Sequence, residues 1–323
     1  MSKKRPSPEL LERYKANYQS DTDFAATARL LQCKWACEHK LQFAERSHIV
    51  NGQQVMLPPL WNFIDTAHGP SANAVFLNDR VNEVVRKVLD LNAKAEGKQS
   101  KMIKVDRLLG NLLSSQPLAF NLFAELSLDL DRATKVFQQV LGKPIDRVTS
   151  IEFEHSPGRG DVRFTGDHSA MDVFVEYTVG KKHGFVGIEV KYAEHLKDAP
   201  ATYKQRYAEV AVTSGAFTPA GLEELKSMPK SIEQIWRDHL LCLSMVQVMK
   251  DKYDECTFMF LYPRLNTECT QAVARYSNLL TDRTTFKPVH MEDLVQAIAD
   301  NGAAAFATQF TKRYLAFDEL NAV

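Results

Sequence analysis

The order of elements in this chain predicts a layered fold of the α/β or α+β class. Three observations carry that expectation. Strand-like runs rich in β-branched and aromatic residues follow one another at 148–155, 171–178 and 185–192. Helix-patterned segments precede them. A strong helical pattern at 230–250 then leads to 256–262, a run apolar on both faces, as suits a central strand. A helix crossing between strands packs onto the sheet it connects, which makes a layered architecture.

Taken in order, residues 1–20 read as a polar lead-in, and 21–43 carry a helix pattern with Phe24, Ala28, Leu31 and Trp35 on one stripe. Cys33 and Cys37 share a face of that helix and His39 follows. No second ligand pair stands at a zinc-binding spacing, so buried helical cysteines are expected. An irregular connection at 58–70, a helix at 78–91 and a charged loop at 94–101 follow. Helices are expected at 117–126 and 132–141, the first started by Ser115 ahead of Pro117, since proline fits a first helical turn. The 156–170 segment is long and Gly-containing and bears Arg159, Asp161 and Arg163; a loop of that length in a compact fold is often functional. Ser231 with Gln234 reads as a capping box opening the 230–250 helix. The tail from Thr267 looks helical, with 286–289 as a final edge strand.

Composition narrows the class. In 323 residues, 45% hydrophobic and 25% charged is ordinary for a soluble globular protein. No apolar stretch approaches the roughly 20 residues that cross a bilayer. Lys3, Lys4 and Arg5 are not followed by an apolar segment, so no secretion signal is expected there. Five cysteines suggest a reducing, cytoplasmic setting without disulfides. Lys+Arg and Asp+Glu both count 40, which counts against a strongly basic nucleic-acid binder but leaves room for a local positive face. Lys98, Lys101, Lys104 and Arg107 make one basic cluster, and Lys181, Lys182 and Lys197 are expected to flank the candidate site.

That site is Asp172 with the Glu189–Val190–Lys191 triplet. If the Val-Gly-Lys-Lys-His-Gly segment at 179–184 is a hairpin loop, Thr178 pairs with Phe185 and Asp172 lies opposite Lys191. Side chains two apart on a strand share a face, so Asp172, Glu189 and Lys191 project together, facing solvent in a cleft, while Val186, Ile188 and Val190 enter a core. Glu-X-Lys recurs at Glu38/Lys40, Glu96/Lys98 and Glu224/Lys226, but only Glu189/Lys191 interrupts an apolar strand with an aspartate on its neighbour. The bland alternative is a solvated hairpin face with Lys191 paired to Asp172. Two carboxylates and an ammonium on one spot can instead hold a divalent cation beside a phosphate.

The succession Ser-Ser-Gln-Pro-Leu-Ala-Phe-Asn-Leu-Phe (114–123), Ile-Glu-Phe-Glu-His-Ser-Pro (151–157), Met-Asp-Val-Phe-Val-Glu-Tyr (171–177), Gly-Phe-Val-Gly-Ile-Glu-Val-Lys-Tyr (184–192) and Gln-Ile-Trp-Arg-Asp-His-Leu-Leu (234–241) resembles the PD-(D/E)XK nuclease superfamily. Within it, the chain is similar to a bacterial family of restriction-endonuclease-like proteins. The resemblance spans about 114–262, and Met171 stands where the motif often has proline. It implies a restriction-endonuclease-like αβββαβ core with a mixed sheet, in a 111–323 domain with a helical C-terminal tail, behind a helical N-terminal extension at 1–110. It also implies a Mg²⁺-dependent nuclease acting on DNA, with Mn²⁺ as a substitute. Asp172, Glu189 and the Val190 carbonyl would hold the cation, and Lys191 would act on the attacking water or the developing charge. Glu154 is a third acidic candidate, because its strand should lie beside that of Asp172. Gln116 and Asn121 match the upstream block, Glu125 could reach from the same helix, and Arg237 is a candidate phosphate contact. His155 and His239 read as structural.

A restriction or defence endonuclease is therefore the leading expectation. A repair exonuclease of the same fold and a catalytically silent nucleic-acid-binding or assembly module compete with it. No membrane association is expected, and homodimerisation is left open.

Overall fold

The computed structural model describes residues 4–50, 53–66, 74–95, 101–196 and 201–321; Lys98 and Lys197 lie outside the described residues. The N-terminal region contributes α1 (Asp23–Glu38) and α2 (Asp79–Lys94), then α3 (Ser115–Ser127) and α4 (Leu130–Leu141) lead into the sheet. Each starts on a side-chain cap: Thr22, Asn78, Ser114 and Asp129 accept from backbone N–H groups of the first turn. Strands β1 (Arg147–His155), β2 (Met171–Val179) and β3 (Lys182–Val190) follow, then α5 (Gln205–Ser214) and α6 (Glu233–Val248), β4 (Glu255–Tyr262), α7 (Thr267–Ser277), β5 (Phe286–His290), α8 (Met291–Ile298) and α9 (Ala304–Tyr314). Between α1 and α2 lies an antiparallel hairpin, Ser47–Val50 with Gln53–Met56. Its solvent-exposed strands lack the half-buried alternation that marks a strand in sequence, so the sequence pattern did not reveal it. Among the described residues, no helix is long and apolar enough to cross a membrane.

The five strands form one mixed sheet in the order β1-β2-β3-β4-β5. The long 156–170 loop joins β1 to an antiparallel β2, and a two-residue turn joins β2 to an antiparallel β3; helical crossovers through α6 and α7 make β3–β4 and β4–β5 parallel. One face carries Val173, Val175, Val186, Ile188 and Val190 into a core shared with α1, α3 and α9. The other carries Phe174, Phe185, Phe258 and Phe260 against α5 and α6. Expected alternation and faces are both present.

The β2–β3 register differs from the expected one. Val179 pairs with Lys182, so the turn is the two residues Gly180-Lys181, and Phe174 faces Gly187 rather than Glu189. Gly180 supplies a left-handed φ of +58°, which lets the strands run on to the turn instead of ending at a six-residue loop. The slip is two residues, so every side chain keeps its face. It also moves Lys181 and Lys182 to the far end of the hairpin, roughly 23 Å of strand from Glu189, and they do not flank the site. Similarly, α6 has no capping box. Ser231 Oγ accepts from Arg275, Gln234 donates elsewhere, and Ile232 occupies the cap position.

The two ends of the chain meet behind the sheet. From α1, Gln32 donates to the Tyr192 hydroxyl (3.2 Å) and to the Arg313 carbonyl (2.8 Å). Tyr192 in turn donates to the Tyr314 carbonyl (3.0 Å), and Asn121 donates to the Tyr314 hydroxyl (2.8 Å). Arg313 lies 3.8 Å over the Trp35 ring. Tyr192 immediately follows Lys191, so both chain ends brace the strand end that carries the acidic motif.

At the other end of β3, a Cβ on Gly184 would lie 2.5 Å from the Tyr177 ring. That ring cannot retreat, because its hydroxyl donates to Glu255 (2.6 Å) and accepts from Lys143 (2.6 Å). Gly184→Ala should cost about 1–3 kcal/mol of stability in urea denaturation, without altering the distant acidic cleft.

Candidate active site

The β2–β3 ladder ends at Val173–Ile188, while β3 stays paired with β4 as far as Val190–Leu261. Past that fork the Val190 N–H donates to the Asp172 carboxylate (2.8 Å) instead of to a strand. A cleft of about 200 Å³ lies there, lined by Asp172, Glu189, Lys191, Glu154, Gln116 and Gln234, with Met102, Lys104, Arg107, Ser115 and Ala170 around them. The structure thus brings together Asp172, Glu154, Glu189, Lys191 and Gln116 from three strands and a helix N-terminus.

Local chemistry aims each group. Glu189 and Lys191 line the cleft, as the alternation suggests, though they are only 5% and 7% exposed. Lys191 pairs with Glu189 at 2.8 Å, not with Asp172 across the strands. Gln234 of α6 donates to the same Glu189 oxygen (2.7 Å). Glu154 accepts from Gln116 (2.6 Å), and its backbone holds φ at +51°, a conformation uncommon outside glycine. That strain at a strand end turns its carboxyl towards the cleft.

The cleft is electrostatically tense. Withdrawal from water, then the charges of Glu189 and Glu154, push the Asp172 carboxyl well above the usual carboxylate range; Lys191 and the Val190 N–H pull against them. Burial also raises Glu154, opposed by the Gln116 amide and reinforced by Glu189. Burial alone would lower Lys191, but Glu189 and then Glu194 outweigh it, and its ammonium is held firmly protonated.

Glu194 and Gln234 are the contacts that sequence reading missed. Glu194 accepts from the Ser115 N–H (2.6 Å), the Tyr192 N–H (2.9 Å) and Arg107 (3.2 Å), tying the start of α3 to the end of β3. Burial would raise its carboxyl, but Lys191, Ser115 and Arg107 hold it below the usual range. It sits in no strand or helix, so no periodicity marks it. For Gln234 the spacing to Ser231 favours a cap role, whereas the structure turns it to Glu189.

Other candidates stand elsewhere. Asn121 is fully buried, accepting from the Leu77 N–H and donating to the Val75 carbonyl and Tyr314 hydroxyl. Glu125 binds Asn78 and Arg80 at the start of α2. Arg237, expected at a phosphate, instead clamps the 156–170 loop, donating to Asp167 (2.9 Å) and Ser169 (2.8 Å) there and to Glu233 (2.9 Å) on its own helix. Burial would raise the Asp167 carboxyl, but the Tyr207 hydroxyl and Arg237 outweigh it and push it down to about 2. Neither Asn121 nor Arg237 lines the cleft, because each is consumed by packing contacts. His239 lies in the α6 core between the Tyr276 and Thr285 hydroxyls, and His155 stacks on Phe174.

The donor set suits a hard cation: carboxylate oxygens with room for water. Gln116 Oε1 is also buried without a hydrogen-bond partner among the described residues, an oxygen available to a ligand. No three acidic, His or Cys side chains among the described residues already stand together as a ready-made metal cage, since Glu189 and Glu154 are turned towards Lys191, Gln234 and Gln116.

A carboxyl whose folded pKa lies above its unfolded value stabilises fully below the unfolded value and loses that contribution as pH rises through the folded one. Asp172 does this, so its own share of stability in EDTA, read as the melting-temperature difference between wild type and Asp172→Asn, should be lost as pH rises from about 4 towards neutrality. Asp172→Asn keeps an acceptor for Val190 and removes the charge. At neutral pH in EDTA it should melt roughly 2–4 °C higher than wild type, the shift for about 1 kcal/mol, and the gap should close towards pH 4 by scanning fluorimetry.

Comparison with known proteins agrees with this geometry. Neither a curated protein nor a solved structure matches the chain. A family model described as the PD-(D/E)XK nuclease superfamily matches residues 19–316, taking in most of the N-terminal region as well as the sheet. An acid–acid–lysine set at the fork of a mixed five-stranded sheet, under a family match of that extent, places this chain in the PD-(D/E)XK nuclease superfamily.

Proposed function

We propose that the protein is a Mg²⁺-dependent deoxyribonuclease, an endonuclease of restriction or defence type working in the cytoplasm. Superfamily membership supports nuclease chemistry, and the five ordered sequence blocks support the finer class. The observation that carries the reading is the crowding of Asp172, Glu154 and Glu189 around one small cleft. A cation there would relieve the repulsion that raises the Asp172 carboxyl.

Asp172 and Glu189, with the Val190 carbonyl, would hold Mg²⁺, and Mn²⁺ would substitute. Bound there, the cation would neutralise the scissile phosphate and acidify a water. Lys191, kept protonated by Glu189 and Glu194, would serve as a fixed positive charge and hydrogen-bond donor rather than as a base. It would orient the attacking water or offset charge growing on the phosphate oxygens. Glu154 supplies a third carboxyl towards that water, and Gln116 fixes its orientation. Gln234 restrains Glu189 from the opposite layer.

Cleavage of circular and linear DNA should require Mg²⁺ or Mn²⁺ and disappear in Glu189→Ala. Metal-independent cleavage, or none under any divalent cation, would sink this reading. Lys191→Ala separates enzyme from binding module. Mn²⁺ uptake by calorimetry should persist, while single-turnover cleavage at saturating Mg²⁺ falls on the order of 10²–10³-fold. Equal rates would leave Lys191 as an ion-pair partner only.

A further inference from the structure

Lys104, Arg107 and Lys191 bring positive charge to the acidic cleft, and two of the three are already committed. The buried Lys191 is held by Glu189 (2.8 Å), and Arg107 by Ser114 (2.7 Å) and Glu194 (3.2 Å). Lys104 lines the same space and is exposed, yet its ammonium has no ion-pair or hydrogen-bond partner among the described residues. Its place is set by the chain around it. Lys104 directly precedes the short helix Val105–Gly110 and stands three residues before Arg107, so both reach the cleft from one segment. That segment is anchored at both ends. Lys101 donates to the Phe153 carbonyl (2.7 Å), one residue before Glu154, and Gly110 accepts from the Ile64 N–H (2.9 Å). The opposite layer contributes only the neutral Gln234 to the cleft lining, while Arg237 is spent on the 156–170 loop.

We propose that Lys104 binds the phosphate next to the scissile one, so that the substrate backbone enters the cleft along the 101–107 segment. The inference rests on the nuclease reading of the cleft. It supplies the phosphate contact that sequence order assigned to Arg237 and gives the strand a side from which to approach. A polyanion is repelled by Glu154, Asp172 and Glu189 unless positive charge guides it in. Lys191 serves the scissile phosphate and leaves its neighbour without a positive partner; Lys104 supplies one. An ammonium on a flexible four-carbon stem meets phosphate as a point charge, whatever the base sequence. Because Lys104 is unpaired among the described residues, taking up a phosphate breaks no ion pair there. Arg107, fixed by two partners, adds positive potential beside it.

The test is single-turnover cleavage of duplex DNA by the full-length protein in Mg²⁺, with the half-saturating protein concentration followed across salt. Lys104→Ala should raise that concentration roughly fivefold, the size of one exposed charge pair. The logarithmic salt dependence should become shallower by about 0.9, as for one lost phosphate contact. The saturated rate and the melting temperature should hold, and Lys104→Arg should restore the affinity. Neutral methylphosphonates placed singly beside the scissile bond should weaken wild type at one position and leave Lys104→Ala indifferent there. Lys181→Ala, at the far end of the β2–β3 hairpin, should match wild type throughout. An unchanged salt slope in Lys104→Ala, a loss confined to the saturated rate, or the same loss in Lys181→Ala would overturn the phosphate contact and leave the nuclease reading standing. Cleavage of no DNA with either Mg²⁺ or Mn²⁺ would defeat the nuclease reading, and this inference with it.

Discussion

Mutual repulsion among carboxyl groups withdrawn into one small cleft is the constraint on which the rest of the structure depends. Glu154, Asp172 and Glu189 sit within one space of about 200 Å³, opposed there chiefly by the Lys191 ammonium. Left to themselves, such groups would move apart or draw in water. They are kept together because each is held from behind: Asp172 by the Val190 N–H, Glu154 by Gln116, and Glu189 by Lys191 and Gln234. The site stores electrostatic tension that the apolar faces of β2 and β3 offset.

Those holding groups come from every layer. Helix α3 supplies Gln116 from one side of the sheet and α6 supplies Gln234 from the other. One turn along α6, Arg237 binds Asp167 and Ser169 and so fixes the loop that delivers Asp172. Glu194 joins the start of α3 to the strand end and points Arg107 at the cleft. The fork between β2 and β3 makes this possible. By ending one ladder while the other continues, it frees a backbone donor for Asp172 beside the carboxylates.

Much of this was legible in the sequence, for identifiable reasons. Alternation along 171–178 and 185–192 assigned faces correctly even though the register was two residues off, because face depends only on parity. The turn is not legible because a Gly-Lys pair leaves strand continuation and loop equally open until cross-strand packing decides. Gln116 follows from its place in the upstream block and Glu154 from the expected pairing of its strand with that of Asp172, and both line the cleft. Asn121 and Arg237 came from similar reasoning, yet packing absorbed both. A polar residue on a patterned helix can serve a loop as readily as a substrate, and only tertiary contacts distinguish them. Glu194 lies in irregular chain, where periodicity is silent.

The meeting of Gln32, Tyr192, Arg313 and Tyr314 behind the acidic cleft has an evolutionary consequence. Because α1 and α9 converge on the residue after Lys191, the sheet that carries the acidic cleft is not a portable cassette that recombination could transplant without those helices. Its descendants would be expected to diversify by reshaping the exposed hairpin, while the outer segments are inherited together with the centre they brace.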